Sequence, residues 1–290
     1  MNENSKPVRR NGQFHEVIRR FKKNKLAMFG LFLFLIILFF AVFAGLFGSE
    51  KDSITQNIMN MNQKPSAEHW FGTDDYGRDL FLRCIYGARI SLIIGIFSSL
   101  LAMLGGCMIG MTAGFYGGRY DDIVMRVMDI LSSVPTILLA ICIVAALGSS
   151  TFNLIVALAI SRTAAFARIT RSSVLSASGQ EYVEAARAGG ARDIRIMVRH
   201  IFPNILAPVL IQTTTNVAQM VLQTAALSFL GLGVAAPTPE WGAIISEAKG
   251  SMRLYPYMIW IPGLCIISAS MSINLIGDGL RDALDPRLKT

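Results

Sequence analysis

The sequence predicts an all-α, polytopic membrane protein that crosses the bilayer about six times. Two observations carry that expectation. Of 290 residues, 53% are apolar and only 16% charged, against roughly a quarter charged in a soluble domain. The apolar residues gather in long runs, while the basic residues behind the net charge of +8 collect at the N-terminus and in the hydrophilic segments between runs. That distribution marks cytoplasmic loops and forms no soluble basic face, so no nucleic-acid partner is expected.

Residues 1–25 contain Arg9, Arg10, Arg19, Arg20, Lys22, Lys23 and Lys25, with Phe14, Val17, Ile18 and Phe21 on one helical face. Such a segment is expected to lie in the headgroup layer, apolar side down and cations toward anionic membrane lipid. Residues 26–47 carry no charge, and a helix of that length, roughly 33 Å, crosses a hydrocarbon core of about 30 Å. The run exceeds a signal-peptide core and no A-x-A site follows, so it is expected to be a permanent first span. Residues 48–89 form the longest hydrophilic stretch, an outer loop. Further spans are expected at Ile90–Phe115, Ile123–Leu147, Phe152–Ala167, Pro208–Leu232 and Pro256–Ile276. Arg162 interrupts the fourth span, whose end is expected there. The Arg/Lys distribution places both termini, the 116–122 turn, the 168–207 segment and the 278–290 tail in the cytoplasm. Residues 90–277 make the core transmembrane domain.

Within these spans, Gly106, Gly110, Gly114 and Gly118 recur every four residues, a stripe suited to close helix packing. Gln212, Asn216, Gln219 and Gln223 share one face of the fifth span. Amides facing lipid are costly, so this face either hydrogen-bonds between helices or lines a hydrated passage. Arg162 is a candidate for the same pathway as an intramembrane cation. Cys107, Cys142 and Cys265 lie in apolar runs as small packing residues, and Cys84 lies in a hydrophilic stretch with no partner named by its spacing.

Several enzyme-like strings fail. Gly105–Thr112 has phosphate-loop glycine spacing, but Met111 replaces the lysine. Gly231-Leu232-Gly233 follows a membrane helix and precedes Pro237 and Pro239, which makes it a turn. A membrane-embedded enzyme would need paired carboxylates, a Ser/Lys dyad or a histidine cluster at membrane depth. None is seen, and no catalytic residue, metal ligand or bound cofactor is assigned. A secondary transporter would show a repeat and intramembrane acids.

The informative segment is Glu181–Pro203, EYVEAARAGGARDIRIMVRHIFP. It forms a helix to Ala188 and breaks at Gly189-Gly190. Alanines permit close approach, Glu and Arg set register, and the glycines fold the chain back, which suits docking into a groove on a soluble partner. Glu184-Ala185-Ala186, three residues, Gly190 and then Pro203 resemble the EAA loop of ABC importer permeases. His200 and Phe202 depart from that pattern, which has Ile and Leu there. Trp70–Asp74 with Gly77-Arg78-Asp79 and Tyr86–Arg89, Leu227–Gly233 with Trp241-Gly242, and Gly277–Pro286 resemble the second, C-type permease of oligopeptide, dipeptide and nickel importers. Thr224 stands where many relatives carry an acid.

The resemblance implies a type I ABC importer permease fold in a bacterial inner membrane. It implies a homologous second permease, two ABC ATPase subunits that use ATP and Mg²⁺, an extracytoplasmic substrate-binding protein and a peptide substrate, with nickel as the alternative. Glu181, Glu184, Ala185, Ala186, Gly190 and Pro203 are then the ATPase-coupling residues, and Asp74, Arg78 and Asp79 candidates for binding-protein docking or gating. An equal reading of these three is that they pair charges within their own loop.

Overall fold

The computed structural model describes residues 11–284; Arg9, Arg10, the Phe14 side chain and residues 285–290 of the tail lie outside that description. Helix α1 (Asn11–Lys23) turns at Asn24 into α2 (Lys25–Val42). Asn24 is extended and its side-chain oxygen accepts from the Leu26 and Ala27 N–H groups at 3.1 Å, a capped helix start. The end of the expected first span is instead a 3₁₀ turn over Ala44–Leu46. In α3 (Glu50–Ile54), Ser49 and Asp52 form a capping box. Hydrogen bonds from the Ser49 side chain and backbone lower the Asp52 carboxyl pKa.

Asp79 caps α4 (Leu80–Tyr116), accepting from the Leu82 N–H at 2.9 Å. The second span therefore begins well before Ile90, and the 48–89 loop is shorter than expected. Arg83 and Arg89 give that stretch the look of a loop, yet Arg83 is fully buried.

The expected single span Ile123–Leu147 is two helices. α5 (Gly118–Ser133) and α6 (Thr136–Leu147) meet at 88°. Pro135 lacks an N–H and drives Val134 to extended backbone, ψ 128°. As a 12-residue helix, α6 reaches about 18 Å, short of the hydrocarbon thickness. α5 is charged on one side and holds itself to the bundle by pairing Asp121 with Arg171.

α7 (Thr151–Ser178) runs unbroken through Arg162, so the fourth span does not end there. After α8 (Glu181–Ala188) come α9 (Asp193–Arg195), a π turn over Ile196–Ile201 and α10 (Phe202–Phe229), which form one continuous helix. The 168–207 segment thus belongs mostly to the two long helices that flank α8. α11 (Trp241–Glu247) and α12 (Tyr257–Leu284) complete the described residues. Among the described residues, five helices are long and apolar enough to cross a bilayer, and the bent α5–α6 pair makes a sixth if counted as one span.

The glycine stripe seats α4 on α7. A Cβ on Gly106 would lie 2.3 Å from Phe166 Cβ, and one on Gly110 would lie 2.2 Å from the Ala167 carbonyl oxygen. Gly114 is similarly closed by Val174 and the Arg171 carbonyl at 3.0 Å, whereas Gly118 has open space around it and starts α5. Three of the four glycines therefore form the contact. On the other side of α4, α10, α11 and α12 close a second core around Leu92, Val221, Trp241 and Ile273.

Candidate functional site

α8 is a two-sided helix with one apolar face. Val183 is 1% exposed and packs with Val174 and Ala177 of α7, Ile196 and Ile201 of the π turn, and Phe115 of α4. The Arg187 guanidinium sits 5.6 Å from the Phe115 ring centroid. Glu181, Glu184 and Ala185 are exposed on the opposite side, while Ala186 is half-buried in the cluster. The alanine pair thus divides, one methyl outward and one inward. The acidic first turn and basic last turn suit the helix dipole.

The helix ends in a Schellman motif. The Ala191 N–H donates to the Ala186 carbonyl at 3.1 Å and the Gly190 N–H to the Arg187 carbonyl at 3.0 Å. Gly190 has φ +73°, which glycine adopts at least cost. Pro203 is exposed in the first turn of α10. The π turn just before it, in which the Phe202 N–H reaches Met197, carries the helix into a residue that has no N–H to give.

The amide face is not uniform. Asn216 is buried and donates to Ser99 Oγ of α4 at 3.2 Å, and Ser99 donates to the Thr213 carbonyl at 3.1 Å. Gln219 is exposed, Gln212 is half-buried, and the Gln223 Oε1 is buried without a hydrogen-bond donor. One amide ties α10 to α4, and its neighbour a turn away stays at the surface of the chain. Arg162 is half-buried on α7 with its Nε shielded and unpartnered among the described residues. Thr224 is fully buried and donates to the Met220 carbonyl at 2.8 Å.

At the N-terminal end of α4, four charges close into a clasp. Arg78 donates from Nε to Asp74 at 2.7 Å and from Nη2 to Glu247 at 2.5 Å. Arg83 reaches the same two carboxylates, Glu247 at 2.8 Å and Asp74 closer still. Asp79 stands apart, paired with His69 Nδ1 at 2.8 Å while capping α4. Asp74 and Arg78 are therefore joined to each other and to α11. The sequence reading counted Arg83 with the loop, whereas it lies in the first turn of α4, and it missed Glu247, which comes from α11. Beneath the clasp, Trp241 Nε1 donates to the Cys84 carbonyl at 2.9 Å, and Gly242 lies against Ala225, where a Cβ would approach the backbone to 2.4 Å. The α8 cluster and the clasp occupy opposite ends of α4, about 48 Å apart along the helix from Arg83 to Phe115.

Residues 106–290 match the family of binding-protein-dependent transport system inner membrane components. The chain belongs to that family. The permease also matches the N-terminal transmembrane domain of oligopeptide transport permease C over residues 12–65. It is 45% identical to a dipeptide transport system permease of Alkalihalophilus pseudofirmus over 96% of this chain and 91% of that one. It is 42% identical to an oligopeptide transport system permease of Bacillus subtilis over 94% and 90%, and 40% identical to a glutathione transport system permease of Escherichia coli over 98% and 94%. Among solved structures, an inward-facing MetNI methionine ABC transporter matches with TM-score 0.58 at 18% identity, over 70% of this permease and 97% of that chain. The likeness shows the type I importer permease fold.

Family membership sets the secondary-transporter alternative aside. The permease is a membrane-spanning, non-catalytic component of an ABC importer, a class that works with a second permease, ATPase and substrate-binding protein.

Proposed function

We propose that this permease forms half of a translocation pathway for di- or oligopeptides and receives the ATPase stroke through α8. The single observation that carries the coupling reading is the two-sided build of α8. Its apolar side is locked to the ends of α4, α7 and the helix that continues into α10, and its acidic side is open. A push on Glu184 is thereby passed to several spanning helices at once as a rigid-body movement. The peptide reading is supported by relatives named for dipeptide, oligopeptide and glutathione transport.

In this reading a homologous second permease completes the pathway, and two ATPase subunits bind α8 and use ATP and Mg²⁺. ATP binding draws the paired permeases from inward- to outward-facing. An extracytoplasmic binding protein meets the clasped outer loop, where Asp74, Arg78 and Asp79 hold the docking surface in shape. Both termini are cytoplasmic, in keeping with the Arg/Lys distribution.

Glu184→Arg in the reconstituted importer is expected to lower peptide-stimulated ATP hydrolysis and uptake at least tenfold, equivalent to about 1.4 kcal/mol. Gly190→Pro should do the same by denying the positive φ that the Schellman turn uses. Assembly and stimulated hydrolysis that both stay at wild-type level would remove α8 from the coupling role.

Asn216 is spent on the contact between α10 and α4, so the pathway assignment for the amide face is checked at Gln219, its exposed member. In a background lacking the four cysteines, Gln219→Cys is expected to react with a hydrophilic thiol reagent in the assembled importer and to slow as the transport cycle turns. Reaction no faster than that of a lipid-facing Phe29→Cys would place Gln219 in a dry interface.

A further inference from the structure

The corner where α1 meets α2 encloses an open polar cleft of about 500 Å³, lined by Glu16, Arg19, Arg20, Lys23, Asn24 and Asp282. We infer that this cleft is a binding site for the headgroup of an anionic phospholipid of the phosphatidylglycerol type.

The corner is a fixed structure. Asn24 caps α2 through its oxygen and donates from Nδ2 to Asp282 of α12 at 3.0 Å. Gly279 of α12 lets Ala27 and Phe21 approach so closely that a Cβ there would stand 2.2 Å from Ala27 Cβ and 3.1 Å from the Phe21 ring. The cleft therefore exists before any ligand arrives.

Its charges are unevenly satisfied. Arg20 is bridged to Glu16 at 2.5 Å, and Asp282 is engaged by the Asn24 amide. Arg19 and Lys23 are exposed and have no ion-pair partner among the described residues. They stand four apart on α1, so they share a face, and two like charges at that spacing repel. An anion between them relieves that repulsion, and a phosphodiester accepts both the guanidinium fork and the ammonium donor. The nearby Asp282 carboxylate suits a headgroup that carries hydroxyl donors, such as glycerol.

Position selects lipid over a soluble phosphate. Directly beyond the cleft, Leu26, Phe29 and Phe32 of α2 are exposed apolar residues at the start of a spanning helix. A phosphodiester in the cleft would lay its acyl chains along them, at the depth where a headgroup sits.

The test titrates the full-length chain in neutral detergent with phosphatidylglycerol, phosphatidylcholine and inorganic phosphate, read by native mass spectrometry. Arg19→Gln with Lys23→Gln is expected to weaken phosphatidylglycerol binding about thirty-fold, from the usual contribution of two membrane-proximal cations. Arg119→Gln with Arg126→Gln on α5 should change it less than threefold, and the charge-preserving Arg19→Lys with Lys23→Arg should retain it. Equal losses in the α1 and α5 variants would reduce the effect to general attraction and overturn the site. So would equal affinity for phosphatidylcholine, or displacement of phosphatidylglycerol by inorganic phosphate.

Discussion

Gly110→Ala is expected to destabilise the permease by about 1–3 kcal/mol, the range for overfilling a packed contact, while Gly105→Ala leaves it unchanged or firmer. The two sites differ by five residues in α4 and by everything in their surroundings. A Cβ on Gly110 meets the Ala167 carbonyl oxygen at 2.2 Å and the Thr170 Cβ at 2.9 Å, whereas one on Gly105 meets nothing nearer than Thr163 Cγ2 at 3.7 Å. Backbone cannot swing aside as a long side chain can, so α4 and α7 must separate. Adding Gly106→Ala, whose Cβ would stand 2.3 Å from Phe166 Cβ, should deepen the loss. Melting of the purified protein in detergent reads this directly. The functional stake is that α7 leads into α8, and Phe115 at the end of α4 packs in the same cluster. If α8 receives the ATPase stroke as proposed, a looser α4–α7 seam would absorb part of it. If Gly110→Ala melts with wild type, the close seam is not the source of rigidity.

How much of this was legible in the sequence depends on how local each signal is. The α8 helix and its break were readable because alanines, the Gly189-Gly190 pair and flanking charges lie within one short stretch. The turn at Gly231 was readable for the same reason, and it too is a left-handed glycine closing a helix, with φ +81°. The bend in the third span was signalled by Pro135, but apolar periodicity on both sides of it outweighed that signal. The early start of α4 was signalled by Asp79 as a cap, and was hidden by Arg83. A buried arginine reads as a loop residue until its anions are known, and Glu247 arrives from 164 residues away. The amide face was visible as a spacing. Which amide turns inward was not, because that choice is made by Ser99 on another helix.

That distant pairing gives the other large prediction, Arg83→Met. Arg83 is completely buried and Asp74 nearly so. Removing one member of a buried ion group leaves its partners uncompensated, at a cost of roughly 3–5 kcal/mol, whereas replacing opposing members together costs much less. Arg83→Met leaves Arg78 alone to answer both Asp74 and Glu247, and Glu247→Met leaves two guanidiniums on Asp74. Each single change should sharply lower the melting temperature and open the loop before α4 to protease. The double variant Arg83→Met with Glu247→Met keeps the Asp74–Arg78 pair balanced and should recover part of the loss, giving a coupling of about 0.5–3 kcal/mol in a double-mutant cycle. Additive single effects would mean that Arg83 and Glu247 do not act on each other. Recovery would mean that the clasp fastens α11, with Trp241 and Gly242 wedged between α4 and α10, to the loop before α4 as one body. A force on that loop would then reach the spanning helices without the loop first having to become ordered.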